Sequence, residues 1–408
     1  MNNGCIAALV RGFLIDLTNM PHVVIAESAK NIPAASMQVK IAAGETEKNA
    51  AAIIRKAYDN WKKSGADGCS NTSGEREIML PSCIALCVND AVEVLFWRGD
   101  DFDSARKRLV EKNAALETKR VAAIGVVVDP AERAVVLKNK IALVTGGAQG
   151  IGEEIVRNLA AAGAFVFIAD MNEEGAGKLA LRINEAEGRT AAFAIKVNVS
   201  DEASVEAMFC TVAGMAGGLD LCVSNAGVLK AGSVLEQELK DFKFVTDINY
   251  TGFFIVSKYS GRIMRLQHLA APSWKTDIVQ INSKSGLEGS NKNGAYAGGK
   301  FGSLGLVASF AKELVEYNIK VNAICPGNFL DGPLWSDPET GLFVQYLRTG
   351  KVPGAKSVAD VRAFYEAKVP MRRGCTGKDL MRALYYIVEQ EYETGQAVPV
   401  TGGQVMLH

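Results

Sequence analysis

A glycine-rich turn in the middle of the chain is the feature that most constrains its fold. The apolar run 141–144 leads directly into Thr145-Gly146-Gly147-Ala148-Gln149-Gly150-Ile151-Gly152, and a helix with one apolar face follows. Gly146 permits a tight turn, Gly150 lets the backbone approach a pyrophosphate, and Gly152 lets the helix pack close to the strand. The free N–H groups of the helix then face the phosphates. The sequence therefore predicts a nucleotide site in which Gly146, Gln149, Gly150 and Ile151 contact the cofactor.

A glycine-rich turn without a ligand is the alternative, but a strand before it and a helix after it are the context that phosphate binding requires. Asp170 ends the second predicted strand, twenty residues after Gly150. A carboxylate there accepts hydrogen bonds from both ribose hydroxyls and repels a 2′-phosphate. Met171 and Asn172 bring no compensating charge, so the sequence favours NAD over NADP. The alternative is an aspartate that only caps the next helix.

From Leu137 onward, short β-branched runs alternate with amphipathic helices. Repeated strand–helix units imply a parallel sheet that is covered on both faces. The predicted strands are 141–144, 165–169, 191–197, 219–223, 278–281, 321–324 and 397–400. We therefore predict an α/β fold in which residues 137–408 form a Rossmann-type, doubly wound parallel sheet.

Residues 1–136 are predicted to form a small α/β N-terminal domain of unknown role. Its predicted elements are strands at 22–26 and 39–43, helices at 45–63 and 101–117, and apolar runs at 84–88, 91–96 and 121–128. The polar stretch 67–74 is predicted to be a loop. Because His22 is the only histidine here, an active zinc aldolase site is rejected. A structural or interaction role is favoured over a second catalytic site; a degenerate remnant, a substrate-recruiting domain and an oligomerisation module stay open.

Charge and composition exclude several classes of function. The 45 basic and 45 acidic residues give no net charge, so no long-range field attracts nucleic acid or an acidic membrane. No uninterrupted apolar run reaches the length of about 18 residues that indicates a membrane span. The eight cysteines form no C-x-x-C pair, which indicates a reducing, cytoplasmic compartment. With three histidines in the chain, no metal site is predicted.

A group of polar residues at one edge of the predicted sheet is a candidate catalytic site. Tyr296 and Lys300 are four residues apart at the start of a helix, so they share one face. A nearby ammonium lowers the pKa of a phenol from its usual value of about 10. Ser283 follows a strand and can hydrogen-bond a substrate carbonyl. Further members of the group are Asn225, Ala226, Gly227, Asn249, Pro326 and Gly327. The carboxyl ends of parallel strands are where open α/β sheets bind ligands.

The order and spacing of these residues resemble those of the short-chain dehydrogenase/reductase family, from Leu137 to the C-terminus. The resemblance implies that Tyr296 exchanges a proton with the substrate oxygen and that Lys300 lowers the tyrosine pKa and holds the nicotinamide ribose. It also implies that Ser283 fixes the substrate oxygen and that Asn249 holds a water in the proton relay. The cofactor carries the hydride.

The same resemblance extends the cofactor site and implies an assembly. The further residues implied to contact NAD are Asp170, Asn198, Val199, Asn225, Ala226, Gly227, Tyr296, Lys300, Pro326 and Gly327. Asn198 stands where family members usually carry Asp, which keeps the shape and removes one charge beside the adenine. Family members usually form dimers or tetramers through the long helices that carry Asn249 and Tyr296, so a homodimer or homotetramer is expected.

Segments 281–286, 327–330, 369–375 and 401–406 resemble the sorbitol-6-phosphate 2-dehydrogenases within this family, which interconvert D-sorbitol 6-phosphate and D-fructose 6-phosphate with NAD. Residues 328–368 occupy the position of the family's substrate loop and are expected to close over the ligand; a peripheral packing element is the alternative.

A phosphorylated polyol needs cations near the catalytic tyrosine, and Lys230, Lys284 and Lys292 are the candidates. For each of them, a solvated surface lysine is the alternative. An unphosphorylated polyol or a sugar acid is the alternative substrate. A nucleotide-binding protein without catalysis is the alternative function.

Overall fold

The computed structural model of the protein describes residues 3–18, 20–28, 36–42, 45–65, 76–81, 83–88, 91–111, 116–121, 136–339, 341–348, 350 and 352–406. The predicted loop 67–74 and most of the apolar run 121–128 lie outside these residues. No helix within the described ranges is both long and apolar enough to cross a membrane.

The described part of the N-terminal region combines helices with a small sheet. Its elements are α1 (Asn3–Thr18), β1 (Val23–Ser28), β2 (Met37–Lys40), α2 (Glu47–Gly65), β3 (Arg76–Pro81), β4 (Cys83–Val88), β5 (Ala91–Gly99), α3 (Phe102–Glu111) and β6 (Leu116–Val121). Four strands form a mixed sheet in the order β1-β5-β4-β2, and β3 pairs with β6. The predicted α/β character is confirmed. Helix α1 is not among the predicted elements, because its apolar residues surround the helix and do not give the one-sided pattern of an amphipathic helix.

Seven parallel strands form the second sheet, in the order β13-β12-β11-β10-β7-β8-β9. They are β7 (Ile141–Thr145), β8 (Phe165–Asp170), β9 (Ala192–Lys196), β10 (Leu221–Ser224), β11 (Thr276–Ile281), β12 (Ile319–Pro326) and β13 (Ala397–Val400). The chain starts in the middle at β7, moves to one edge, returns to β10 and continues to the other edge. This is the doubly wound order, so the predicted Rossmann-type fold is confirmed.

Helices cover both faces of this sheet. They are α4 (Gly150–Ala161), α5 (Glu173–Glu187), α6 (Glu202–Ala216), α7 (Leu239–Thr246), α8 (Gly252–Ala270), α9 (Gly294–Leu314), α10 (Pro333–Ser336), α11 (Leu342–Arg348), α12 (Val358–Ala367) and α13 (Gly377–Glu389). The core on one face contains side chains of α4, α5 and α13, and the core on the other contains side chains of α6, α8 and α9.

The N-terminal region shares the second of these cores. Apolar side chains of α1 from Ile6 to Ile15 are at most 4% exposed and pack with those of α6 and α8. Gly12 permits this close packing, because a Cβ there would lie 2.5 Å from the backbone oxygen of Gln267. Burial of these apolar side chains stabilises the protein by about 25 cal/mol per Å² of apolar surface. One continuous core therefore joins the two sheets.

A fully buried ion pair lies inside this contact. Arg11 donates through Nη1 and Nη2 to the two carboxylate oxygens of Asp220, at 3.0 and 2.6 Å, and neither side chain is exposed. Arg11 also donates through Nε to the carbonyl oxygen of His22 at 2.6 Å. Asp220 further accepts from Ile141 N at 2.8 Å and Trp274 Nε1 at 3.0 Å. The pair thus ties α1 to the amino ends of β7 and β10.

Candidate active site

The glycine-rich turn joins β7 to α4 at the carboxyl edge of the seven-stranded sheet. Gly146 and Gly150 have φ of +62° and +58°, a left-handed conformation that favours glycine. A Cβ on Gly152 would lie 2.0 Å from the carbonyl oxygen of Gly146, so this contact also requires glycine. The side chain of Gln149 makes no hydrogen bond to the start of α4. The first N–H groups of the helix thus remain available to an anion.

Asn225 supports this turn from the neighbouring strand. Its Nδ2 donates to the carbonyl oxygens of Thr145 and Gly146, at 3.0 and 2.9 Å. Its backbone N–H and that of Ala226 donate to Oγ1 of Thr145, at 3.0 and 3.1 Å. The end of β10 is therefore fixed against the turn, and the amide of Asn225 holds the backbone around the predicted pyrophosphate site.

Asp170 lies at the end of β8, beside the turn. Its Oδ2 accepts from Ala148 N at 3.0 Å, and its Oδ1 accepts from Asn172 N at 2.9 Å. The side chain that caps α5 is that of Asn172, which accepts from Gly175 N. The carboxylate of Asp170 is therefore not the cap of α5, and it lines the cavity described next.

A cavity of about 950 Å³ follows the carboxyl edge of the sheet. The structure brings together in its wall every residue that the sequence assigned to the cofactor: Gly146, Gln149, Gly150, Ile151, Asp170, Asn198, Val199, Asn225, Ala226, Gly227, Tyr296, Lys300, Pro326 and Gly327. Ser283 lines the same cavity. Within the described residues, no group of three or more His, Cys, Asp or Glu side chains is placed to hold a metal ion.

Tyr296 and Lys300 lie one turn apart at the start of α9. The Nζ of Lys300 is 5.7 Å from the centroid of the Tyr296 ring and donates to the carbonyl oxygen of Ile281 at 2.8 Å. Burial lowers the pKa of Lys300 to about 8. Burial raises the pKa of Tyr296, and a hydrogen bond with Ser283 opposes that rise. At neutral pH the phenol is therefore protonated, which is the form that can donate a proton to a carbonyl oxygen.

Ser283 begins the short 3₁₀ turn Lys284–Gly286 after β11, and its Oγ accepts from Ser285 N at 3.1 Å. The neighbouring Asn282 is buried, and its Nδ2 donates to Gln280 Oε1, Lys300 O and Ser303 Oγ. These bonds connect the carboxyl end of β11 to the first turns of α9, and they thereby fix the position of Ser283 relative to Tyr296.

Asn249 lies in the π-helical turn Asp247–Thr251, between α7 and α8. Its side chain exchanges two hydrogen bonds with the backbone of Val228, at 2.8 and 2.7 Å. Gly227 lies against both Asn249 and Lys300, because a Cβ added to it would be 3.1 Å from Asn249 Oδ1 and 3.8 Å from Lys300 Nζ. Asn249 is thus adjacent to the Tyr296–Lys300 pair although it does not line the cavity. Such π turns within α-helices occur frequently at functional sites.

The three lysines proposed for a phosphate are placed differently from one another. Lys284 lines the cavity and pairs with Glu288 at 3.2 Å. Lys230 is not among the lining residues and pairs with Asp241 at 2.6 Å. Lys292 is also absent from the lining and has a left-handed backbone. The structure therefore brings one of the three to the cavity.

The segment predicted to be the substrate loop forms α10, α11 and α12, which have a small core of their own. The rings of Trp335, Tyr346 and Tyr365 contact one another at centroid distances of 4.8 to 5.8 Å and line the cavity. The predicted substrate loop did not single out individual residues, and those that it contributes to the cavity include Asn328, Phe329, Trp335, Tyr346, Tyr365 and Lys368, while Gln404 lies outside it. The density of aromatic residues in 328–368 was the one available signal.

Comparison with known proteins agrees with this geometry. Residues 140–337 match the family model described as short chain dehydrogenase. Sorbitol-6-phosphate 2-dehydrogenase of Escherichia coli (strain K12) is 35% identical over 271 residues, which cover 66% of this chain and 99% of that protein. The crystal structure of sorbitol-6-phosphate 2-dehydrogenase from Erwinia amylovora superposes with a TM-score of 0.60 at 38% identity, over 65% of this chain and 100% of that one.

A third similar structure contains NADPH. The crystal structure of a variant actinorhodin polyketide ketoreductase with NADPH has a TM-score of 0.58 and 27% identity, over 65% of this chain and 97% of that one. The matched range 140–337 includes the glycine-rich turn, Tyr296 and Lys300. The chain therefore belongs to the short-chain dehydrogenase/reductase family, whose members are oxidoreductases that bind a nicotinamide cofactor.

Proposed function

We propose that the protein interconverts a secondary alcohol and a ketone on a sugar or polyol phosphate with NAD, and that D-sorbitol 6-phosphate and D-fructose 6-phosphate are the pair. One observation carries the proposal: a single cavity contains the phosphate-binding turn, the carboxylate of Asp170, and the side chains of Ser283, Tyr296 and Lys300. The similarity to sorbitol-6-phosphate 2-dehydrogenases over the length of those proteins supports the substrate.

The proposed mechanism uses the proton of Tyr296. In ketone reduction, Ser283 hydrogen-bonds the carbonyl oxygen and the Tyr296 hydroxyl donates its proton to that oxygen. In alcohol oxidation the proton moves the other way, from the substrate hydroxyl to the tyrosine oxygen, which must first lose its own proton. The Lys300 ammonium, 5.7 Å from the ring centroid, stabilises that phenolate. Bound NAD supplies the hydride acceptor or donor. Asn249, held by the Val228 backbone, is proposed to keep a water beside Lys300 for proton exchange.

The preference for NAD is proposed from the surroundings of Asp170. Its carboxylate lines the cavity between the uncharged residues Ala169 and Met171. A 2′-phosphate at this position would bring a second negative group close to Asp170, and the two would repel each other. The two ribose hydroxyls of NAD can instead donate to the carboxylate.

We propose a structural role for residues 1–136, ahead of a catalytic unit of residues 137–408. The buried contact of α1 with α6 and α8 supports this role. We also propose a homodimer or homotetramer, which the exposed Phe254 on α8 and Phe301 on α9 support. Light scattering of the purified protein measures the subunit number.

The test is NADH formation by the purified protein with D-sorbitol 6-phosphate, D-sorbitol and a panel of small polyols. We expect turnover of the phosphorylated compound, and Tyr296→Phe should lose about 10²- to 10⁴-fold in kcat. NAD binding, followed by quenching of protein fluorescence, should persist in that variant. Turnover of free polyols alone would support the alcohol–ketone interconversion and reject a phosphorylated substrate. Equal turnover by Tyr296→Phe would reject the catalytic assignment.

A further inference from the structure

A substrate phosphate is bound most strongly by a cation that the protein does not already neutralise. The charged residues in the cavity wall are Asp170, Lys284, Lys300, Asp337 and Lys368. Lys300 is buried beside Tyr296, and Lys284 is paired with Glu288. Neither is therefore a free ammonium at the cavity surface, and the sequence had not singled out Lys368.

Lys368 follows the last residue of α12 and is exposed to the cavity. Among the residues that the structure describes, no carboxylate lies within ion-pair distance of its ammonium. Instead, its Nζ lies 4.2 Å from the ring centroid of Phe364 and 5.4 Å from that of Tyr365. Cation–π contacts of this kind hold the ammonium in place without cancelling its charge.

One of the two rings under Lys368, that of Tyr365, belongs to an aromatic wall of the cavity. Tyr365 contacts Trp335 at 4.8 Å and Tyr346 at 5.5 Å between ring centroids. Burial raises the pKa of Tyr365 to about 12, so this wall stays uncharged at neutral pH. An anion that reaches Lys368 is therefore not repelled by the neighbouring phenols, and the aromatic faces can cover the carbon chain of a polyol.

We infer that Lys368 is the residue that binds the substrate phosphate, above the aromatic wall formed by Trp335, Tyr346 and Tyr365. This inference rests on the proposed function, because it names the specificity-determining contact of the same site. Lys368 acts on binding and does not take part in proton transfer. Its loss should therefore raise KM for a phosphorylated substrate and leave kcat nearly unchanged.

The experiment compares wild type with Lys368→Gln, Lys368→Arg and the control Lys378→Gln. Lys378 is an exposed lysine at the start of α13 and does not line the cavity. A charge-assisted hydrogen bond contributes about 1.5–3 kcal/mol, so Lys368→Gln should raise KM for D-sorbitol 6-phosphate about 10- to 100-fold. Lys368→Arg should retain most of the affinity. KM for D-sorbitol, and all constants of Lys378→Gln, should stay within about 2-fold of wild type.

The inference would be overturned if Lys368→Gln raised KM equally for D-sorbitol 6-phosphate and D-sorbitol, or raised it for neither. If the wild type oxidises only free polyols, the proposed substrate is wrong. Inhibition by inorganic phosphate then tests separately whether Lys368 binds an anion. Competitive inhibition that Lys368→Gln weakens by about 10-fold or more would support an anion site at Lys368. Inhibition that is the same in wild type and variant, or absent from both, would reject it. Thermal melting of each variant shows whether the helices α10–α12 remain folded.

Discussion

Replacing Arg11 by methionine is expected to destabilise the whole protein, although Arg11 lies far along the chain from the catalytic residues. The variant would leave the Asp220 carboxylate fully buried without its bidentate partner. Removing one member of a buried ion pair typically costs about 3–5 kcal/mol, because the remaining charge stays desolvated. At roughly 2 °C per kcal/mol for a large domain, Tm should fall by about 6–10 °C.

The loss of stability in Arg11→Met should change with pH in a defined direction. Burial by itself would raise the pKa of Asp220, but the Arg11 guanidinium, with help from Lys140 and the Ile141 N–H, holds it below its usual value. In wild type this contribution is therefore complete above the unfolded pKa of about 3.9 and is lost only as the pH falls below it. In Arg11→Met burial prevails and raises the Asp220 pKa. The deficit of the variant should thus shrink as the pH falls from neutrality toward the unfolded pKa of about 3.9.

The assay is urea unfolding followed by tryptophan fluorescence at several pH values. Lys178→Met is the matched control, because it breaks an exposed i,i+4 pair with Glu174 and should cost about 0.5 kcal/mol or less. Arg11→Met together with Asp220→Asn should recover part of the loss. If Arg11→Met unfolds at the same urea concentration as Lys178→Met, the view that α1 is an integral part of the fold is refuted.

Two further predictions concern the cavity. Asp170→Asn keeps an oxygen acceptor and removes the charge, so kcat/KM with NADP relative to NAD should rise roughly 10-fold or more, as measured with both cofactors; an unchanged ratio would contradict the role of the carboxylate. For Lys300, burial lowers the folded pKa to about 8 from 10.5, so the unfolded chain binds more protons between these values. Wild type should therefore gain stability relative to Lys300→Met as the pH rises from about 8 to about 10, and unfolding curves that stay parallel over this range would contradict it.

The second sheet was predictable because its determinants are local. Each strand is a short apolar run, and its predicted bounds differ from the observed ones by at most two residues. The glycines of the turn are determined by backbone conformation and close contact, which a sequence motif records directly. Ser283, Tyr296 and Asp170 could be placed at one edge because the carboxyl ends of parallel strands coincide.

The remaining features depend on contacts between distant residues. Helix α1 has apolar residues on every side and only Arg11 and Asp16 as charged residues, so no continuous polar face defines its orientation. Its partners include α6 and α8, which lie far away along the chain. The pairing of Lys230 with Asp241 and the position of Lys368 over Phe364 depend on how the loops fold over the sheet. No periodicity or motif reports such contacts, which is why the predicted set of cations differs from the set that lines the cavity.

The contact between α1 and α8 also bears on how the chain is made. Helix α1 ends at Thr18 and α8 starts at Gly252, so about 230 residues must be synthesised before the part of the α1 surface that packs on α8 can be covered. At about 5–20 residues per second, translation of that length takes roughly 10–50 s. During this interval the nascent polypeptide exposes the apolar side chains of α1 that α8 later covers. Its yield in cells should therefore depend on chaperones that shelter such segments co-translationally.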